Sequence, residues 1–65
     1  MKIVVNGEAA DTRAHTLAEL LAELGLADAL VATALNGAMV RAPRRPATAI
    51  ADGDRVEILA PMQGG

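Results

Sequence analysis

The residues with the clearest chemical potential are the last two, Gly64-Gly65. Glycine has no Cβ, so a Gly-Gly end is thin enough to enter a narrow slot in another protein. It also leaves the carboxylate of Gly65 unshielded. A carboxylate is a poor electrophile until it becomes an anhydride such as an acyl-adenylate, so the expected chemistry takes place inside an enzyme that the tail enters. Residues 61–65, fully extended, reach about 17 Å at roughly 3.4 Å per residue, which carries the carboxylate well clear of a folded body. Terminal glycines can also simply fray. Their position directly after a last strand argues that they are used.

The other candidates are weaker. Asp52 and Asp54 flank Gly53, and paired carboxylates can act as acid and base. Asp-Gly-Asp is also ordinary turn chemistry, with Asp bonding its own backbone and Gly taking positive φ, and that reading is preferred. Arg41, Arg44 and Arg45 form a docking patch for an acidic partner or a solvated loop. Glu19 and Glu23 read as the solvated edge of a helix, and His15 has nothing to activate.

Absences narrow the field. The sequence holds no serine and no cysteine, which excludes a serine triad, a cysteine nucleophile, a disulfide framework and a thiolate zinc site. One histidine is too few for a histidine metal site, so no metal is expected. With no Phe, Trp or Tyr there is no stacking platform for single-stranded nucleic acid. The net charge of −2 has the wrong sign for a general nucleic-acid binder. No stretch approaches the ~20 apolar residues that cross a bilayer, and the opening MKIVVNGE lacks the apolar core of a signal peptide. A cytoplasmic protein with neither nucleic-acid nor membrane partners is expected.

Sixty-five residues make one domain at most, too small to house a deep, dry catalytic pocket. The eight Leu, three Ile, five Val and three Met are too many for a highly charged disordered chain. Fifteen alanines keep the core light, so each Leu and Ile matters.

The elements that must position the tail follow from period and punctuation. Residues 2–6, KIVVN, form a β-branched run closed by Asn6-Gly7, the strongest short hairpin signal. A second strand follows over about 8–13. Residues 16–24, TLAELLAEL, read as a helix. Thr16 and Glu19 have the spacing of a capping box, and Leu17, Leu20, Leu21 and Leu24 make one apolar stripe. Gly25 is the left-handed residue that ends it, with Leu26 packing back on the last turn. Residues 30–35, LVATAL, form a strand closed by a second Asn-Gly at 36–37, and 38–41 return beside it. Alternation puts Val31, Thr33 and Leu35 on one face. Residues 42–49, with two prolines, form a loop with room for a helical turn. Ile50 plugs the core. Residues 55–59, RVEIL, are the last strand, with Val56 and Ile58 inward, and Pro61 ends it.

The order strand, strand, helix, strand, strand, loop, strand is an α+β, two-layer solution. A mixed sheet of four to five strands gripping one α-helix is the ubiquitin-like β-grasp arrangement. A β-grasp domain over 1–60 and a flexible tail over 61–65 are expected.

The chain resembles the thiamine-biosynthesis sulfur carrier (ThiS) family of that superfamily. The resemblance lies in IVVNGE at 3–8, TLAELLAEL at 16–24, VATALNGAMV at 31–40, DGDRVEIL at 52–59 and QGG at 63–65. It departs where the family has Pro-Arg and then an aromatic after the fourth strand; here Arg41-Ala42 and Pro46 stand there. Pro61 is similar to the related molybdopterin-synthase small subunits.

The resemblance implies a carrier rather than an enzyme, binding no cofactor of its own and monomeric when free. An adenylating enzyme of the ubiquitin-activating type uses ATP and Mg²⁺ to activate the carboxylate of Gly65. A persulfide donor then displaces AMP to leave a thiocarboxylate, and thiazole synthase takes the sulfur into the thiazole ring of thiamine. Met62, Gln63, Gly64 and Gly65 sit in both enzymes' channels, and the exposed sheet face docks. The alternatives are a sulfur carrier for molybdopterin, cysteine or tRNA thiolation, a ubiquitin-like protein modifier, and a non-reactive interaction module.

Overall fold

A computed structural model describes residues 1–60. The elements in chain order are β1 (Lys2–Val5), β2 (Glu8–Asp11), α1 (Leu17–Glu23), β3 (Ala32–Leu35), β4 (Ala38–Val40), a 3₁₀ helix (Ala42–Ala47) and β5 (Arg55–Leu59). The strands form one sheet in the order β2-β1-β5-β3-β4. β1 and β5 run parallel, and the other neighbours are antiparallel. This five-stranded mixed sheet gripping one helix is the expected β-grasp.

Both Asn-Gly dipeptides make the expected turns. Asn6 and Asn36 have φ of 50° each, and the glycines after them 84° and 86°. Two successive positive φ values match the right-handed twist of the flanking strands.

The helix starts and stops as its sequence dictates. Thr16 caps it by accepting a hydrogen bond from the Glu19 N–H at 3.1 Å. Glu19 reaches back one residue further than a capping box requires, accepting from the His15 N–H at 2.7 Å. At the other end Leu26 N–H donates to Leu21 O at 2.7 Å, and Gly25 N–H to Ala22 O at 3.0 Å. That pair of bonds is a Schellman closure, and Gly25 supplies the φ of 77° that it needs.

Leu17, Leu20 and Leu21 bury against Ile3, Val56 and Ile58 of the sheet, with Ile50 filling in from the loop. Each such side chain contributes roughly 1.5–3 kcal/mol of burial. Leu24, the last member of the expected stripe, is 46% exposed because the helix closes before it.

Several boundaries shift, α1 to Leu17–Glu23 and the end of β4 to Val40 among them. β1 ends at Val5 because Asn6 belongs to the turn. β2 ends at Asp11, although Thr12 still exchanges bonds with Met1 at 2.9 and 3.0 Å as the last rung of the ladder; Arg13 instead gives its N–H to Glu23. β3 starts at Ala32, not at 30; Leu30 is 82% exposed and Val31 gives its carbonyl to Arg45. The helical turn allowed for in the proline-rich stretch is a 3₁₀ helix, with Pro43 at its start, where a missing N–H does no harm.

Candidate functional site

β5 is the last strand in sequence and the middle strand in the sheet. Parallel pairing with β1 sets Val4 against Arg55 and Val5 against Val56. Antiparallel pairing with β3 sets Ala32 against Leu59 and Leu35 against Val56. Whatever follows Leu59 is thus launched from the strand held on both sides. Met62, Gln63, Gly64 and Gly65, the residues expected to do the chemistry, lie outside the described residues.

Side chains of both turn asparagines reinforce the hold on β5. Asn6 Oδ1 accepts from Ile58 N–H at 2.8 Å, and its Nδ2 donates to Ile58 O at 3.1 Å. Asn36 Oδ1 accepts from Arg55 N–H at 2.9 Å, and its Nδ2 donates to Asp54 Oδ1 at 3.1 Å. One asparagine clamps each end of the strand. Sequence reasoning assigned them to turns only; their role depends on which strand the fold brings alongside.

Alternation along β5 gives the sheet two faces. Val56 and Ile58 face the helix, while Arg55, Glu57 and Leu59 are exposed. The open face carries two large apolar side chains, Leu59 at 65% and Met39 at 76% exposure. Leu59 lies beside Ala32, and Met39 beside Ala34, which in turn neighbours Glu57. Small residues between two prominent apolar ones leave a flat surface that a partner can cover.

The arginine patch divides. Arg45 is half-buried, donating from Nε to Thr33 Oγ1 at 2.9 Å and from Nη2 to Val31 O at 2.6 Å. Thr33 is itself buried and its hydroxyl donates to Val40 O at 2.7 Å. Arg45 therefore fastens the 3₁₀ helix to the sheet. Arg41 and Arg44 are exposed. Among the described residues the ion pair is Lys2–Asp11, so neither arginine has an acidic partner there. They line a shallow depression with Met39, Val40 and Thr48.

The acidic residues serve structure. Asp52 Oδ1 accepts from Lys2 N–H at 2.8 Å, and Asp54 Oδ2 from Ala51 N–H at 2.8 Å. This is the expected turn chemistry, extended to hold β1. Glu23 is no idle helix edge: it accepts from Thr12 Oγ1 and, at 3.0 Å, from Arg13 N–H. Those two bonds, the hydroxyl first, hold its carboxyl below the ordinary glutamate range. His15 is exposed, and its backbone rather than its ring makes the contact seen. Among the described residues no group of three or more His, Cys, Asp or Glu is placed to hold a metal. Nor is any helix there long and apolar enough to cross a membrane.

Comparison with known proteins places this arrangement. The model of the ThiS family matches residues 3–65. The crystal structure of the thiamine biosynthesis protein ThiS from Geobacter metallireducens is 38% identical, with a TM-score of 0.84 and complete coverage of both chains. A solution structure of a thiamine biosynthesis protein from the same organism is 35% identical, with a TM-score of 0.79, covering 100% of this chain and 88% of that one. No curated protein matches the sequence significantly.

Proposed function

The chain belongs to the ThiS family, and on that premise we propose that it is a sulfur carrier of thiamine biosynthesis, loaded at the carboxylate of Gly65. The observation that carries this reading is the family match itself, which runs through the terminal Gly64-Gly65. The central position of β5 supports it, because a rigid launching strand lets a short tail be aimed.

The chemistry is that of an activated acyl group. A carboxylate oxygen of Gly65 attacks the α-phosphorus of ATP, held with Mg²⁺ in an adenylating enzyme of the ubiquitin-activating type, and pyrophosphate leaves. The outer sulfur of a persulfide donor then attacks the carbonyl carbon and expels AMP. A thiol cleaves the remaining S–S bond and frees the thiocarboxylate. Thiazole synthase accepts that sulfur. The carrier supplies no catalytic group; it supplies the electrophile and its placement. Met62, Gln63 and Gly64 occupy the partner's channel, and Gly64 keeps the thread narrow.

Docking falls to the open sheet face. Leu59 and Met39 supply apolar anchors, and Arg41 and Arg44 at the β4 rim meet an acidic surface. Arg45 is excluded from this patch by its bonds to Thr33 and Val31. Burying apolar area gives affinity, while rim charges act on the association rate and its salt dependence. The carrier works in the cytoplasm as a monomer between partners.

The test reconstitutes the transfer. The chain, an adenylating enzyme of this pathway, ATP, Mg²⁺ and a persulfide donor are combined with thiazole synthase and its small-molecule substrates. Sulfur appearing in the thiazole product supports the reading. A thiocarboxylate that forms but never reaches thiazole assigns the carrier to another acceptor.

A further inference from the structure

We propose that Asn36-Gly37 is a site of spontaneous deamidation, and that the modification loosens the start of β5. An Asn followed by Gly is the chemically weakest peptide pairing for this reaction, because no Cβ shields the glycine nitrogen from the asparagine side chain. The chain holds two such pairs in matched backbone conformations, with asparagine φ of 50° in each and glycine φ of 84° and 86°. They differ in what holds the amide.

The Asn6 amide is bonded at both atoms to the backbone of Ile58, at 2.8 and 3.1 Å, in a partly buried setting. The Asn36 amide is exposed. Its Oδ1 accepts from Arg55 N–H at 2.9 Å, but its Nδ2 donates to the Asp54 side chain at 3.1 Å. A backbone partner in a sheet stays where it is. The Asp54 carboxylate is half-buried and also held by Ala51 N–H at 2.8 Å, but it is a side chain with rotatable bonds and one shared hydrogen-bond partner, so the Asn36 amide is released more often.

The step balances without an oxidant or reductant. The Gly37 nitrogen gives up its proton to solvent and bonds to Cγ of Asn36. The Cγ–Nδ2 bond breaks, and the nitrogen leaves as ammonia. Water then opens the cyclic imide at one carbonyl or the other, leaving aspartate or isoaspartate at position 36.

Either product disturbs the same junction. A carboxylate replaces the amide donor opposite Asp54, so two like charges face each other. Asp54 also holds Ala51 N–H through Oδ2 at 2.8 Å and Val4 N–H through its backbone oxygen at 2.9 Å. Isoaspartate adds a backbone methylene to a two-residue turn whose length sets the β3–β4 register.

The experiment ages the full chain in warm, mildly alkaline buffer and follows both sites by peptide mapping with mass spectrometry. Conversion at Asn36 is expected to outpace that at Asn6 roughly five- to tenfold, the ratio set by one ordinary hydrogen bond. In strong urea the two rates should converge. Equal rates in the native protein, a faster Asn6, or a ratio that survives urea would overturn the proposal. Asn36→Asp should lower the urea midpoint, and an unchanged midpoint would contradict the claimed loosening of β5. Asn36→Gly, which keeps the turn and cannot deamidate, should convert only at Asn6; conversion elsewhere at the rate assigned to position 36 would also overturn it.

Discussion

The side chain of Asn6 holds both backbone polar groups of Ile58, a residue 52 positions further along the chain. It does the work of a missing β1 residue beyond the turn, completing the ladder where β5 nears the tail. Asn6→Ala loses both bonds, each about 0.5–1.5 kcal/mol, and puts alanine at a φ of 50° that asparagine tolerates better. A loss of about 1–3 kcal/mol from the two bonds, with a smaller backbone cost added, is expected. Asn6→Gly relieves the backbone strain but not the lost bonds, so it should cost less. Urea titrations followed by circular dichroism check this; two variants of equal stability would contradict the backbone contribution.

Leu21→Ala is expected to be among the most damaging core substitutions. Leu21 is 3% exposed in a cluster of few large side chains, so the cavity has little to collapse into it. A loss of about 2–5 kcal/mol is expected, against a total stability of about 5–15. A melting temperature near that of the wild type would show the buried face to be misassigned.

Arg45→Ala and Arg44→Ala should separate cleanly. Removing Arg45 leaves Val31 O and the Thr33 hydroxyl short of a charged donor, a loss of about 1.5–3 kcal/mol. Arg44 makes no ion pair among the described residues, and its loss should stay within about 0.5 kcal/mol. Partner association should show the reverse pattern, with Arg44→Ala lowering the on-rate at low salt. Equal destabilisation by both changes would refute the division of the patch.

Acid should weaken the fold through Glu23. Thr12 and Arg13 stabilise its ionised form, so its folded pKa lies below the unfolded one. The stabilisation is present above about pH 4.3, the ordinary glutamate value, and is lost as pH falls through the lower folded pKa. Glu23→Gln should flatten that acid limb by lowering stability at neutral pH, where the ionised carboxylate's bonds are in place, and changing it least in acid. An unchanged acid limb would mean that other carboxylates control it.

Local signals were legible in the sequence, and long-range ones were not. Asn-Gly turns, the Thr16 cap and the Gly25 closure depend on a few adjacent residues, whose types fix the geometry. The alternation in RVEIL also showed which side chains of β5 face inward. The pairing of Asn6 with Ile58, of Arg45 with Val31 and of Glu23 with Thr12 depends on which elements meet, so composition and period are silent on it. Arg45 looked like its neighbours because a charged residue in a proline-rich stretch carries no mark of its partner. Leu30 and Val31 have strand-like types but lie outside β3, because their surroundings leave Leu30 in solvent. The proposed reactive end, Gly64-Gly65, is read from residue type alone and lies outside the described residues.

The most direct measurement is the intact mass of the chain after incubation with its adenylating enzyme, ATP, Mg²⁺ and a persulfide donor. The wild type should gain the mass of one oxygen-to-sulfur exchange, located at Gly65 by fragmentation. Deleting Gly65 draws the carboxylate back by about 3.4 Å, well beyond the ~1 Å misplacement that can already cost 10²-fold in rate. Its circular dichroism should match the wild type, and it should not be thiolated. A wild-type chain that stays unmodified, or a deletion variant thiolated at the wild-type rate, would contradict the account.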